Sequence, residues 1–127
     1  MNSQFDTDDS KIEPWRAPEA LQPFVEEGDL QFIWDVVDAF DRQTRSRVEA
    51  ARAALTEHRM DTVRAQVHGI LGGAKQLGFE ELGAACQELE SPAVKEEAAQ
   101  AIVTRIERLF ERATRSIALA RERGAVD

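Results

Sequence analysis

The chain has 127 residues, 43% hydrophobic and 31% charged, with 24 acidic against 16 basic side chains and a formal net charge of −8. That balance predicts one soluble folded domain able to bury its own core; it disfavours nonspecific contact with nucleic acid or anionic lipid, which needs a basic surface. One cysteine, Cys86, and two histidines leave no intramolecular disulfide and too few ligands for structural zinc, and no run approaches the roughly 18 apolar residues that span a bilayer.

Residues 1–18 are polar, acidic and broken by Pro14 and Pro18. They read as a flexible tail, with Trp15 as its anchor to the body. Its first ten residues lack the apolar run of a secretory signal, so the expected compartment is the cytoplasm. The domain proper is expected over 19–124. Leu21, Phe24 and Val25 predict a short helix over 19–27, with Pro23 near its start or forcing an irregular turn. Gly28-Asp29 then punctuates the chain, and Asp29 can cap a long helix. Leu30, Ile33, Trp34, Val37, Phe40, Val48, Ala51 and Leu55 recur at helical spacing to about residue 57. A turn at 58–60 follows, with Asp61 as the next cap. Val63, Val67, Ile70, Ala74 and Leu77 form the stripe of a third helix over 62–77, which Gly78 ends. A fourth helix over 80–90 turns Leu82, Ala85, Cys86 and Leu89 inward. Ser91-Pro92 predicts an immediate restart, capping Ser then Pro at the first helical position. The fifth helix carries Val94, Ala98, Ala101, Ile102, Ile106, Leu109, Phe110, Ala113 and Ile117 and ends near Gly124. Short links between long amphipathic helices make neighbours antiparallel. The expected fold is all-α, a monomeric antiparallel four-helix bundle with a short extra N-terminal helix.

The third helix holds the chemistry. At about 100° per residue, His68 falls about 140° from the centre of its apolar stripe and faces water. Gly72 and Lys75 share that outward strip; Arg64 and Leu71 flank it. Three glycines, Gly69, Gly72 and Gly73, each cost about 0.5–1 kcal/mol against alanine in a helix. Gly73 faces the core, where it permits close approach of another helix. Gly72 lies outward and clears the surface beside the imidazole. A lone surface histidine usually does nothing, and a glycine pair is more often a packing feature. It is the conjunction of exposed His68, cleared surface and nearby cations that points to a site.

The run from His68 through Gly72, Gly78, Leu82 and Cys86 to Leu89-Glu90 resembles the signature of the histidine-containing phosphotransfer (HPt) domain. That signature has a His, a Gly four residues on, a second Gly ten on, then Leu, Cys and Leu-Glu on the next helix. The resemblance covers roughly residues 20–122. It implies that His68 is the phosphoacceptor. It also implies that Glu90 orients the ring, and that Leu71, Gly72 and Lys75 meet the partner. The implied partners are response-regulator receiver domains and a hybrid sensor histidine kinase. No cofactor is expected in this chain, since the receiver brings the Mg²⁺, and no kinase activity of its own.

The sequence departs from the family at one position that matters. The family usually has Lys three residues after the His; here it is Leu71. Lys75, leaning toward the helix N-terminus as helical side chains do, is the expected substitute, with Arg64 the second choice. Two other readings stay open: a degenerate HPt adaptor or inhibitor that docks receivers or kinases without carrying phosphate, and an unrelated structural bundle in which His68 is incidental.

Overall fold

A computed structural model describes residues 11–124. Five α-helices follow a 3₁₀ turn at Glu19–Leu21: α1 (Gln22–Glu26), α2 (Leu30–Thr56), α3 (Met60–Gln76), α4 (Glu80–Glu90) and α5 (Glu96–Arg123). No strand occurs among the described residues. α3 packs on α2 and α4, and α5 packs on α4 and α2, which closes four helices into a bundle. The expected all-α architecture with a short extra N-terminal helix is what the chain adopts.

The links are short because each helix end has a local stop. The Asp29 side chain accepts from the Phe32 amide at 3.2 Å and starts α2. Gly78, at φ +83°, takes the left-handed conformation that reverses the chain after α3, where a Cβ would be strained. Gly124 takes the same left-handed conformation at the end of α5, at φ +66°. The core is one continuous cluster in which Ile33, Val37, Val63, Val67, Ile70, Leu77, Leu82, Leu89 and Ile106 are buried. Every position of the predicted α3 stripe lies in it.

α2 and α5 have 27 and 28 residues, α3 and α4 only 17 and 11. At 1.5 Å per residue the long pair outruns α3 by roughly 15 Å. All four meet near the 57–59 and 91–95 links, so the overhang lies at the other end. There the N-terminal segment closes it. Ile12, Trp15, Ala17 and Leu21 are buried. The Trp15 indole donates to the Leu77 carbonyl at 2.8 Å, satisfying an acceptor that the end of α3 leaves open. The Trp15 amide donates to Ser116 O at 2.9 Å, and the Ser116 hydroxyl donates to Glu13 O at 2.7 Å. Residues 12–17 are therefore packed; the part of the expected tail before residue 11 lies outside the described residues.

Three local expectations are corrected. α5 begins at Glu96, not at Pro92. Ser91 instead builds a turn, its Oγ accepting from the Ala93 amide at 3.2 Å and its carbonyl from Val94 at 3.1 Å. Asp61 is not a cap: α3 starts at Met60, two residues earlier than expected, after Arg59, and Asp61 sits in its first turn. There its charge meets the positive end of the helix dipole. Ala98, Ala101 and Leu30 are exposed, whereas Ala99, Val103 and Ala120 are buried. Alanine suits either face of a helix, so it carries little orientation signal.

Candidate functional site

α3 runs along the bundle with its aliphatic stripe sunk between α2 and α4. That anchoring turns His68 out, and its side chain is 73% exposed. The ring is nonetheless held. On α4, Leu89 is fully buried, which leaves the next residue, Glu90, at the rim facing α3. Glu90 Oε1 lies 2.9 Å from His68 Nδ1. An ionised carboxylate only accepts, so Nδ1 carries the proton, and in the neutral ring the lone pair is on Nε2. The arrangement is a fixed tautomer with a nucleophilic nitrogen open to a partner. Glu90 also ends α4.

The surface around the ring is bare on one side. A Cβ on Gly72 would meet nothing within 4 Å. Gly73 has a packing reason: its Cβ would come within 3.0 Å of Phe40 on α2. Gly83, on α4, lies inside the run from His68 to Glu90. Its Cβ would fall 3.3 Å from Lys75 Cγ and 3.7 Å from Leu71 Cδ1. Its missing side chain leaves room for the Lys75 stem between α3 and α4.

Of the residues expected at the site, Glu90 is the one brought onto the His68 ring among the contacts of the described residues. Lys75 is exposed, but its stem lies over Gly83, seven residues before Glu90 on α4. Leu71 is half-buried beside it. Arg64 turns the other way: Nη2 donates to the Val94 carbonyl and Nη1 to Asp61 Oδ1, each at 3.4 Å. It braces the turn before α5. Cys86 is buried in the core, and burial first, then the charge of Glu90, pushes its thiol up to about 12. It is a packing residue and not a nucleophile. Among the described residues no three His, Cys, Asp or Glu side chains gather as a metal site requires, and no helix is long and apolar enough to cross a membrane.

The sequence reading missed Arg47, on α2. A Cβ on Gly69 would collide with its guanidinium, coming within 2.6 Å of Nε. Arg47 Nη1 donates to Gln66 Oε1 at 3.3 Å. A helix wheel cannot see this contact, because it joins residues of different helices.

Fold and site together define a helical bundle that presents a carboxylate-held histidine on the outside of one helix. The family model of the Hpt domain matches residues 35–116, and the chain belongs to that family. No individual curated protein and no solved structure matches it. Hpt domains serve in two-component phosphotransfer, interacting with receiver domains and kinases as phosphocarriers without kinase activity.

Proposed function

We propose that this chain is a phosphorelay intermediate that carries the phosphoryl group on His68. The observation that carries the reading is the hydrogen bond from His68 Nδ1 to Glu90 on an otherwise open ring. The Nε2 lone pair attacks the phosphorus of an aspartyl phosphate on a receiver domain. The N–P bond forms as the acyl O–P bond breaks, and the receiver's carboxylate leaves. The Nδ1 proton stays in place, and Glu90 balances the imidazolium charge. Return transfer to a second receiver reverses these steps. The receiver supplies Mg²⁺, and this chain supplies the positioned nucleophile.

Gly72 serves this reading by giving a receiver's active site room to close over the ring. Leu71 and Lys75 are assigned to docking, Leu71 as an apolar contact and Lys75 as a cation toward the receiver's acidic rim. A hybrid sensor kinase is the proposed source of the phosphoryl group. The test is incubation with phosphorylated receivers, followed by detection of acid-labile, base-stable phosphate on this chain and its loss in His68→Gln.

One observation favours a second reading, in which the chain docks receivers or kinases without carrying phosphate. Leu71 stands where the family usually places a phosphoryl-supporting Lys. Tight binding to a receiver with no labelling of His68 would select this adaptor reading.

A further inference from the structure

Gly69 is the one α3 glycine that neither core packing nor the cleared surface explains. It lies on the exposed side of the helix, directly after His68. What fills the missing side chain's place is the Arg47 guanidinium, reaching across from α2. A tyrosine, glutamate or even alanine at 69 would push it away. Arg47 is anchored by Gln66 through one of its terminal nitrogens, and its other donors are available to an anion. With consecutive Cα atoms 3.8 Å apart, Arg47 Nε lies within about 8 Å of the His68 Cα. The swing of a flexible side chain covers that gap. Arg42, Gln43, Ser46, Arg47 and Gln66 line a shallow concavity between α2 and α3. Two of the five are cations and none is an acid, on a chain of net charge −8. This is a local positive field beside the histidine, on the side opposite Glu90.

We propose that Arg47 supplies, from α2, the cation that Leu71 removed from α3, contacting the phosphoryl oxygens during transfer to and from His68. The inference rests on the phosphocarrier reading. It gives Gly69 a function: an empty seat in which the guanidinium waits, one residue from the nucleophile. Guanidinium suits this task because its planar fork pairs with two phosphoryl oxygens at once. Lys75, its stem laid over Gly83, is less well placed.

The experiment uses the full chain and two donors: a phosphorylated receiver that labels it, and phosphoramidate, a small donor that needs no docking. Arg47→Ala is expected to slow labelling about fivefold with both donors, and to shorten the life of the phosphohistidine by a similar factor. Arg47→Lys should retain most of the rate. Gly69→Ala should behave like Arg47→Ala, because the new methyl displaces the guanidinium. The double variant should be no slower than either single one. Gly69→Ala adds helix propensity and meets only the far end of a flexible side chain, so a thermal melt no lower than the wild type's is expected and separates loss of rate from loss of fold. Arg47→Ala matching the wild type with phosphoramidate would overturn the proposal, whether or not receiver transfer slows; slowing with the receiver alone would make Arg47 a docking contact. A wild-type chain labelled by neither donor would overturn the phosphocarrier reading and this proposal with it.

Discussion

The two histidines of this chain sit in almost the same local chemistry and differ in everything around it. His68 Nδ1 meets Glu90, and His58 Nδ1 meets Glu96. Both rings are about three-quarters exposed, 73% and 76%. His58, however, occupies the turn between α2 and α3 with φ +63°, a left-handed conformation that strains a residue with a Cβ. Its pairing with Glu96 ties that turn to the first turn of α5. His68 sits mid-helix, with regular backbone, beside a bare Gly72 and an arginine parked over Gly69. The difference teaches that a histidine–carboxylate pair is not itself a site. What distinguishes His68 is a rigid platform and cleared access, whereas His58 holds two segments together.

The sharpest way to break this comparison is to remove each ring. His68→Gln is expected to abolish labelling by a phosphorylated receiver, and His58→Gln to leave it unchanged. Both variants should melt close to the wild type, since exposed substitutions generally cost about 0.5 kcal/mol or less. Labelled His68→Gln chain would end the comparison.

Access comes next. Gly72→Gln should cut the transfer rate tenfold or more by crowding the receiver, roughly 1.4 kcal/mol in the barrier. Gly72→Ala, with nothing within 4 Å of its Cβ, should raise stability by up to about 1 kcal/mol in a urea titration. Undiminished transfer in Gly72→Gln would show that the bare surface has no part in docking.

The two carboxylates should separate in the same direction. Glu90→Gln keeps a hydrogen-bond acceptor for Nδ1 but loses the charge. A reduction in labelling rate of about three- to tenfold is expected, the lower end reflecting solvent screening of an exposed pair. Glu96→Gln should leave transfer untouched. Equal effects of the two on rate would mean that Glu90 acts no differently from a turn contact.

The smallest effect tests the turn. His58→Gly relieves the positive φ but loses the Glu96 contact and adds unfolded-state freedom. A net gain of about 0.5 kcal/mol in urea stability is expected. A loss larger than 1 kcal/mol would make the His58–Glu96 pair a principal brace of the bundle.

The helices were legible because their signals are local. Periodicity at 3.6 residues placed the α3 stripe and the limits of α4, and it set His68 on the water side, since one helix face is a property of spacing alone. Asp29 and Gly78 announced their caps for the same reason. Where the signal was weak, the reading slipped. Ser91-Pro92 looks like a helix start but makes a turn, and the alanines of α5 do not declare a face. Trp15 could be read as an anchor, but not which carbonyl it would find, because its partner is 62 residues away.

The sequence by itself determined that His68 is exposed on a helix whose other face is core, and that Gly72 leaves space beside it. Which groups surround His68 was decided only by tertiary structure. Glu90 reaches the ring from α4, Arg64 is drawn off to Val94, and the Lys75 stem is laid over Gly83. Arg47 comes to Gly69 from a helix 22 positions upstream. The physical reason is that a helix wheel fixes the direction of a side chain from its own backbone. The group it meets depends on the depth and register at which a second helix packs, and that is set by the side chains of both.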